Sequence, residues 1–404
     1  MVTRICEDSL PLEHPARLLW EVFGLLDLSA FMRGAKSVRG APGGSLKSRR
    51  MLLTLWGYAF VRQIVHAREI ERRLLDNDLG FRWIAGDLHV SHTLLSEFLV
   101  EHQEAMQTLF TDVLGVLKSH GLLLLPEHRA AQDGMRVRAN AGIGSFRTRE
   151  GLDTAREQAE LHLKATLARM DEPALREAEQ QARERGAMEV LDRIHKAIKV
   201  VQELREKRSN CSNKKRQSTE PKASTTDPEA RIMKVSNGGF EPSYNVQLAV
   251  VGSPMGGPAT VVGVQVTSLG SDKGSILPMC AQVEQRTGHT LDAILVDGEH
   301  LTHDELRAAL AQQLTVIAPV PERWDKSEAP QDPAIGAWIV QMKTEAMRCE
   351  YRARKALVER VNAVLKDRFG LRLIPVRGAK AVLCVFLLAA TVANLMQHGL
   401  SLLT

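Results

Sequence analysis

The chain has 404 residues, a formal net charge of +5, and 44% hydrophobic and 25% charged residues, enough for two or three domains with real cores and leaning towards polyanionic partners. Aromatics are only 4%, which argues against a base-stacking platform for single strands. Five scattered cysteines, Cys6, Cys211, Cys280, Cys349 and Cys384, form no C-x-x-C pair; this argues against a zinc site or a disulfide framework and for a reducing, cytoplasmic compartment.

The first twenty residues lack the apolar core of a signal peptide. Residues 1–121 read as mostly helical. Residues 49–62 have basic ends and an apolar centre with Trp56, Tyr58 and Phe60, and 67–76 (AREIERRLLD) form a charged helix. Phe81, Trp83 and Ile84 make an apolar turn, and Ser91 caps one long helix over 92–120 that Gly121 ends. Short helices carrying Arg49, Arg50, Arg62, Arg68, Arg72 and Arg73 are the pattern of a helix-turn-helix DNA binder. An ordinary bundle with a solvated basic face has the same pattern.

Residues 129–139 alternate around Val137 as a strand, with Asp133-Gly134 as a turn signal. Residues 148–210 read as a charged helical hairpin: Val190, Ile194, Ala197, Val201 and Leu204 follow a heptad-like rhythm, Pro173 starts one helix and Gly186 separates two. Residues 205–226 lose apolar periodicity and read as a basic linker.

From Gly239 the period becomes two. Residues 244–251 and 259–267 form an antiparallel hairpin, followed by a helix over 276–286 closed by Gly288. A buried strand at 291–296 ends at Asp297-Gly298. A helix over 302–312, a strand over 314–320 and a Pro-rich charged loop over 321–332 come next. Residues 351–370 (YRARKALVERVNAVLKDRFG) form a helix with Leu357, Val361, Val364 and Leu365 on one face. Glu359 stands on it between Lys355 and Lys366; a surface ion pair and a metal-holding acid beside phosphate-binding lysines look alike at this point. The apolar run 381–396 contains Thr391 and Asn394 and is short for a bilayer, so it reads as a core helix.

This is the element order of a ribonuclease H-like α/β fold, a mixed sheet flanked by helices, with Asp133, Asp297 and Glu359 on elements where their carboxylates can converge. Three acids without histidine or thiol partners suit Mg²⁺ or Mn²⁺. Two such ions can drive an in-line phosphodiester displacement.

Five blocks, QDGMRVRANAG, TDPEARIMK, GGFEPSYNVQLAV, VDGEHL and YRARKALVERVNAVLK, together with the helical stretch from Arg49 to Phe98, resemble the DDE transposases of bacterial insertion sequences, in particular the family numbered eleven eighty-two, near the group numbered five. The resemblance covers nearly the whole chain in the right order. It implies a helical DNA-binding domain (1–121), a first catalytic strand region (122–147), a helical insert and basic linker (148–226) and the rest of a ribonuclease H-like domain (227–404). It implies metal-dependent hydrolysis at the element's terminal inverted repeats, in a nucleoid-associated protein away from membranes. Attack of the freed 3′-hydroxyl on target double-stranded DNA then follows, and pairing two ends calls for a homodimer. Asp133, Asp297 and Glu359 carry over as catalytic, metal-binding acids. Lys355, Lys366 and Tyr351 carry over as DNA contacts, with Arg68, Arg72 and Arg73 from the N-terminal helices. The alternative is a transposase-derived DNA-binding protein that has lost its chemistry. The chain departs from relatives at Asp297-Gly298-Glu299-His300, where Asp-Ala-Gly-Tyr is common, and at Phe98, which Leu99 rather than Arg follows.

Overall fold

The computed structural model describes residues 9–33, 47–86, 88–125, 128–168, 177–210, 214–235, 238–253, 255–325 and 332–403. Cys6, Cys211, Pro173 and half of the 321–332 loop lie outside them.

The N-terminal helices are α1 (Pro15–Leu25), α2 (Arg49–Val61), α3 (Ala67–Leu75), α4 (Leu79–Ala85), α5 (His92–Glu101) and α6 (Gln103–Ser119). Side-chain caps start several of them: Ser48 Oγ accepts from Met51 N and Ser91 Oγ from Leu94 N, each satisfying an orphan donor of the first turn. The expected single helix over 92–120 is two. His102 breaks it at φ −106°, ψ 44°, its ring turned back to the Phe98 carbonyl at 3.1 Å and packed against Phe31. The apolar turn expected at 81–84 is the short helix α4, capped by Asp78.

A six-stranded sheet follows: β1 (Arg129–Arg138), β4 (Arg231–Lys234), β5 (Phe240–Gly252), β6 (Ala259–Thr267), β7 (Ala293–Leu295) and β8 (Thr315–Ile317). Strand β5 pairs antiparallel with β1, β4 and β6. Strands β1, β7 and β8 run parallel. Path β6-β5-β1-β7-β8 therefore joins an antiparallel half to a parallel half at β1. Helices α10 (Ile276–Thr287) and α11 (His303–Ala311) make the crossovers to the parallel strands, and Gly288 closes α10 in the left-handed region. After α12 (Glu322–Asp325), helix α13 (Pro333–Met342) starts at Asp332, whose side chain accepts from Ala334 N, with proline in the first turn.

Helix α14 (Glu345–Ala363) lies against β1, β5 and β6, burying Leu357, Val358 and Val361. It widens into a π turn over Val364–Arg368, in which Leu365 is buried and Val364 half-buried. Helix α15 (Ala379–Leu403) contains a stretch, Ala379–Gly399, apolar and long enough to cross a membrane, but 72% of its apolar window is buried inside the protein. It packs on α1, α5 and α6 at one side and on β6 at the other.

The insert is a hairpin of α7 (Arg149–Ala168) and α8 (Glu177–Ser209) with a separate small core of Leu152, Ala159, Ile194, Ala197, Ile198 and Val201. Gly186 does not separate two helices; it lies inside α8, where a glycine costs about 1 kcal/mol that the pairing with α7 offsets. The linker is also shorter than expected, since α8 runs to Ser209 and α9 (Lys214–Ser218) follows. Strand β3 (Ala223–Ser224) then pairs with β2 (Phe146–Arg147) to close the base of the hairpin.

Candidate active site

Asp133-Gly134 is not a turn. Both residues lie inside β1, where Asp133 faces Leu248 and Gly134 faces Gln247 across the ladder to β5. Glycine at 134 leaves room for two side-chain ends: a Cβ there would sit 2.3 Å from Gln247 Nε2 and 2.4 Å from Asp272 Oδ1, so these would have to shift. The second Asp-Gly follows the same logic, since a Cβ on Gly298 would sit 2.8 Å from the Pro319 carbonyl oxygen.

On the parallel side the ladder ends at Ala131↔Leu295. Asp133 and Asp297 each stand two residues beyond that last rung. Were the register continued by two residues, it would bring them opposite one another on the same face, because side chains alternate with period two. Both carboxylates act electrostatically on His300 and on Tyr351. Asp297 accepts from Glu299 N at 3.4 Å as the cap of a short turn, Gly298–His300.

Helix α14 supplies the rest of the shell. Arg354 Nη2 donates to Asp133 Oδ1 at 2.7 Å, and Asn362 Nδ2 donates to Oδ2 at 3.1 Å. Because β1 has lost its parallel neighbour there, the Gln132 carbonyl is free to accept from Arg354 Nε at 3.3 Å. Burial raises the Asp133 carboxyl above its ordinary value, and Arg354 and His300 oppose the rise. Arg354 also donates to the Tyr351 hydroxyl at 3.4 Å, and burial raises that phenol. Lys366, in the π turn, is half-buried. Burial, helped by Arg372, lowers its ammonium, while Asp133 pulls the other way.

The expected residues thus divide. Asp133, Asp297, Tyr351 and Lys366 come near one another, around the middle of β1 and just past the end of β7. Lys355 and Glu359 are exposed on α14. Among the described residues Glu359 makes no ion pair or side-chain hydrogen bond, and no group of three or more His, Cys, Asp or Glu is placed to hold a metal ion. Two all-oxygen carboxylates, one within β1 and one just past the end of β7, are the right donor chemistry for a hard divalent cation, so the pair fits one in part. Arg68 is exposed, whereas Arg72 pairs with Glu69 (2.6 Å) and Asp76 (2.9 Å), and Arg73 with Glu69 (2.9 Å).

Sequence reasoning missed Arg354, Asn362, Gln132, Asn245, Gln247 and Asp272. For the strand residues a signal existed: Asn245 and Gln247 are polar, two apart, in an otherwise apolar strand and so share one face. The block TDPEAR does not line the site. Asp227 Oδ1 accepts from the Tyr244 hydroxyl (2.7 Å) and Gly378 N (3.2 Å), and Glu229 Oε2 from Ala379 N (2.8 Å), so the block caps α15.

Against this geometry the comparisons fall into place. The model of the family described as Transposase DDE domain matches residues 334–398. That span runs from α13 through α14 into α15, the helix over the carboxylates included, and it supports a DDE transposase. No curated protein and no solved structure matches the chain.

Proposed function

We propose that the protein is a DNA transposase of an insertion sequence, with a ribonuclease H-like catalytic domain that performs metal-dependent phosphodiester hydrolysis and strand transfer. The observation that carries this reading is the pair Asp133 and Asp297, each two residues past the last rung of the parallel β1–β7 ladder, with a basic helix laid over them. The strand path β6-β5-β1-β7-β8, antiparallel then parallel, and the family match over 334–398 support it.

In this reading Asp133, Asp297 and Glu359 would hold Mg²⁺ or Mn²⁺, Glu359 by turning in from the exposed side of α14. The bound cations would activate the attacking oxygen and stabilise the leaving one. Arg354 donates to Asp133 and opposes the rise that burial imposes on its carboxyl. Lys366, near Asp133 and without an ion-pair partner among the described residues, and the exposed Lys355 offer cations to the phosphates flanking the cut. Tyr351 lines the same cleft. Residues 1–121 would bind the terminal repeats of double-stranded DNA, chiefly through Arg68, since Arg72 and Arg73 must first give up acids on their own helix or its end. A homodimer would bring two ends together, in the cytoplasm at the nucleoid.

The test uses DNA carrying the element's ends, in Mg²⁺. Asp297→Ala and Glu359→Ala are expected to lower cleavage by at least 10³-fold while end binding persists and stays steeply salt-dependent. Cleavage that survives either change sinks the metal assignment. A wild-type chain that binds ends and never cuts is instead a DNA-binding remnant.

A further inference from the structure

Beyond Ala131↔Leu295 no backbone ladder ties β1 to the segment that carries Asp297, so past that rung the direct coupling between the two segments falls to side chains. The sheet face opposite α14 holds the only such bridge among the described residues. Gln247, on β5, is 1% exposed. Its Oε1 accepts from Gln132 Nε2 at 3.1 Å, next to Asp133, and from His300 Nε2 at 3.2 Å, in the turn after Asp297. We infer that Gln247 is a positioning residue that clamps the two carboxylate-bearing segments together and sets the separation of Asp133 from Asp297; the inference rests on the metal-site reading above.

The clamp is held in one orientation. Gln247 Nε2 donates to Asp272 Oδ1 at 2.6 Å, and Asn245 Nδ2 donates to the same oxygen at 2.6 Å. Arg136 lies 3.4 Å from Asp272 Oδ2. A carboxylate only accepts, so Asp272 fixes which end of the Gln247 amide faces it. The amide oxygen is thereby aimed at Gln132 and His300, and His300 must donate through Nε2. Gln132 is further fixed by donating to Ser275 Oγ at 2.9 Å. Gln132 and His300 are as buried as Gln247, so the bridge lies away from bulk solvent. Gly134 completes the arrangement, because any side chain there would displace both Gln247 and Asp272.

The experiment titrates Mn²⁺ into the full-length protein without DNA and reads free Mn²⁺ by electron paramagnetic resonance, with circular dichroism as the check on folding. Gln247→Met keeps the volume and removes every hydrogen bond. His300→Phe removes one arm only and leaves no unpaired amide donor. Gln247→Met is expected to weaken Mn²⁺ binding by about tenfold or more, as loss of the groups that orient metal-binding side chains does, and His300→Phe by less. Asp297→Ala is the control. If it abolishes binding while folded Gln247→Met and His300→Phe bind as wild type, the clamp is refuted and the metal reading stands. If Asp297→Ala binds as wild type, or the wild type binds no Mn²⁺, the metal reading has failed and the clamp with it. Should Gln247→Met not fold, His300→Phe decides alone: unaltered Mn²⁺ affinity overturns the inference.

Discussion

Asp133 is a carboxylate that burial works against and a guanidinium rescues. Its side chain keeps 25% of its exposure and Arg354 keeps 13%. Breaking a fully buried pair by removing one partner costs ~3–5 kcal/mol, so this partly solvated pair should cost about 2 kcal/mol. Arg354→Ala is expected to destabilise the metal-free protein by that amount in urea unfolding at pH 7. The double change Asp133→Asn with Arg354→Ala should recover most of it, because an amide needs no counterion. Additive losses in the cycle would mean that the two side chains are not coupled. At this scale the sequence points to acids more readily than to their partners, and Glu359, exposed on α14, does not join the other two. Asp297 closes an apolar run and is placed by strand periodicity, whereas Asp133-Gly134 signals a turn in the sequence and lies within β1 in the structure. Arg354 and Asn362 were harder to see. A helix of arginines and lysines does not announce which cation turns inward, since that depends on where the sheet lies beneath it.

The elements were legible where apolar residues fill the element and its ends carry cap or turn residues, as in α2, α10 and the β5–β6 hairpin. They were misread where a local signal competes with tertiary packing. Gly134 signals a turn by composition, yet it sits mid-strand because two side chains need its space. Helix α13 was passed over although Ile335, Trp338, Ile339 and Met342 recur at i, i+3, i+4 and i+7 behind an Asp-Pro start. The outer edge of β6 shows what the amides of an apolar helix can do. Asn394 Oδ1 accepts from Val261 N and its Nδ2 donates to Val261 O, both at 2.8 Å. Gln397 does the same at Ala259, at 2.8 and 3.0 Å. Helix α15 thereby fills the place of a further strand and covers an edge that would otherwise invite pairing with another chain. Asn394→Leu leaves the buried Val261 donor and acceptor unpaired, at roughly 1–3 kcal/mol per group before relaxation, and about 2–4 kcal/mol in all. The expected outcome is a lower melting temperature together with aggregation seen by light scattering. An unchanged melting temperature would show that β6 does not depend on this cover.

On the scale of the whole molecule, the helical and sheet halves are not two independent cores. One continuous apolar cluster runs from Leu10 through the N-terminal helices and the sheet to Leu402, and α15 is its centre, touching α1, α5 and α6 on one side and β6 on the other. The α7–α8 hairpin is different, for its small core is separate. Cooperative units follow shared burial, so the boundary near residue 121, plain in composition, should not be a boundary in unfolding, whereas the insert should be one. The tryptophans allow this to be read directly. Trp20, Trp56 and Trp83 report on the N-terminal helices, Trp324 and Trp338 on the region after β8, and the insert has none. Urea unfolding followed by fluorescence is expected to show one transition, while far-ultraviolet circular dichroism shows an additional, earlier loss of helix from the hairpin. A variant lacking residues 1–121 should be insoluble, because the faces of α15 that α1, α5 and α6 cover would meet water. Two fluorescence transitions, assigned by Trp56→Phe and Trp338→Phe to the two halves, would instead make α15 a joint between separate domains.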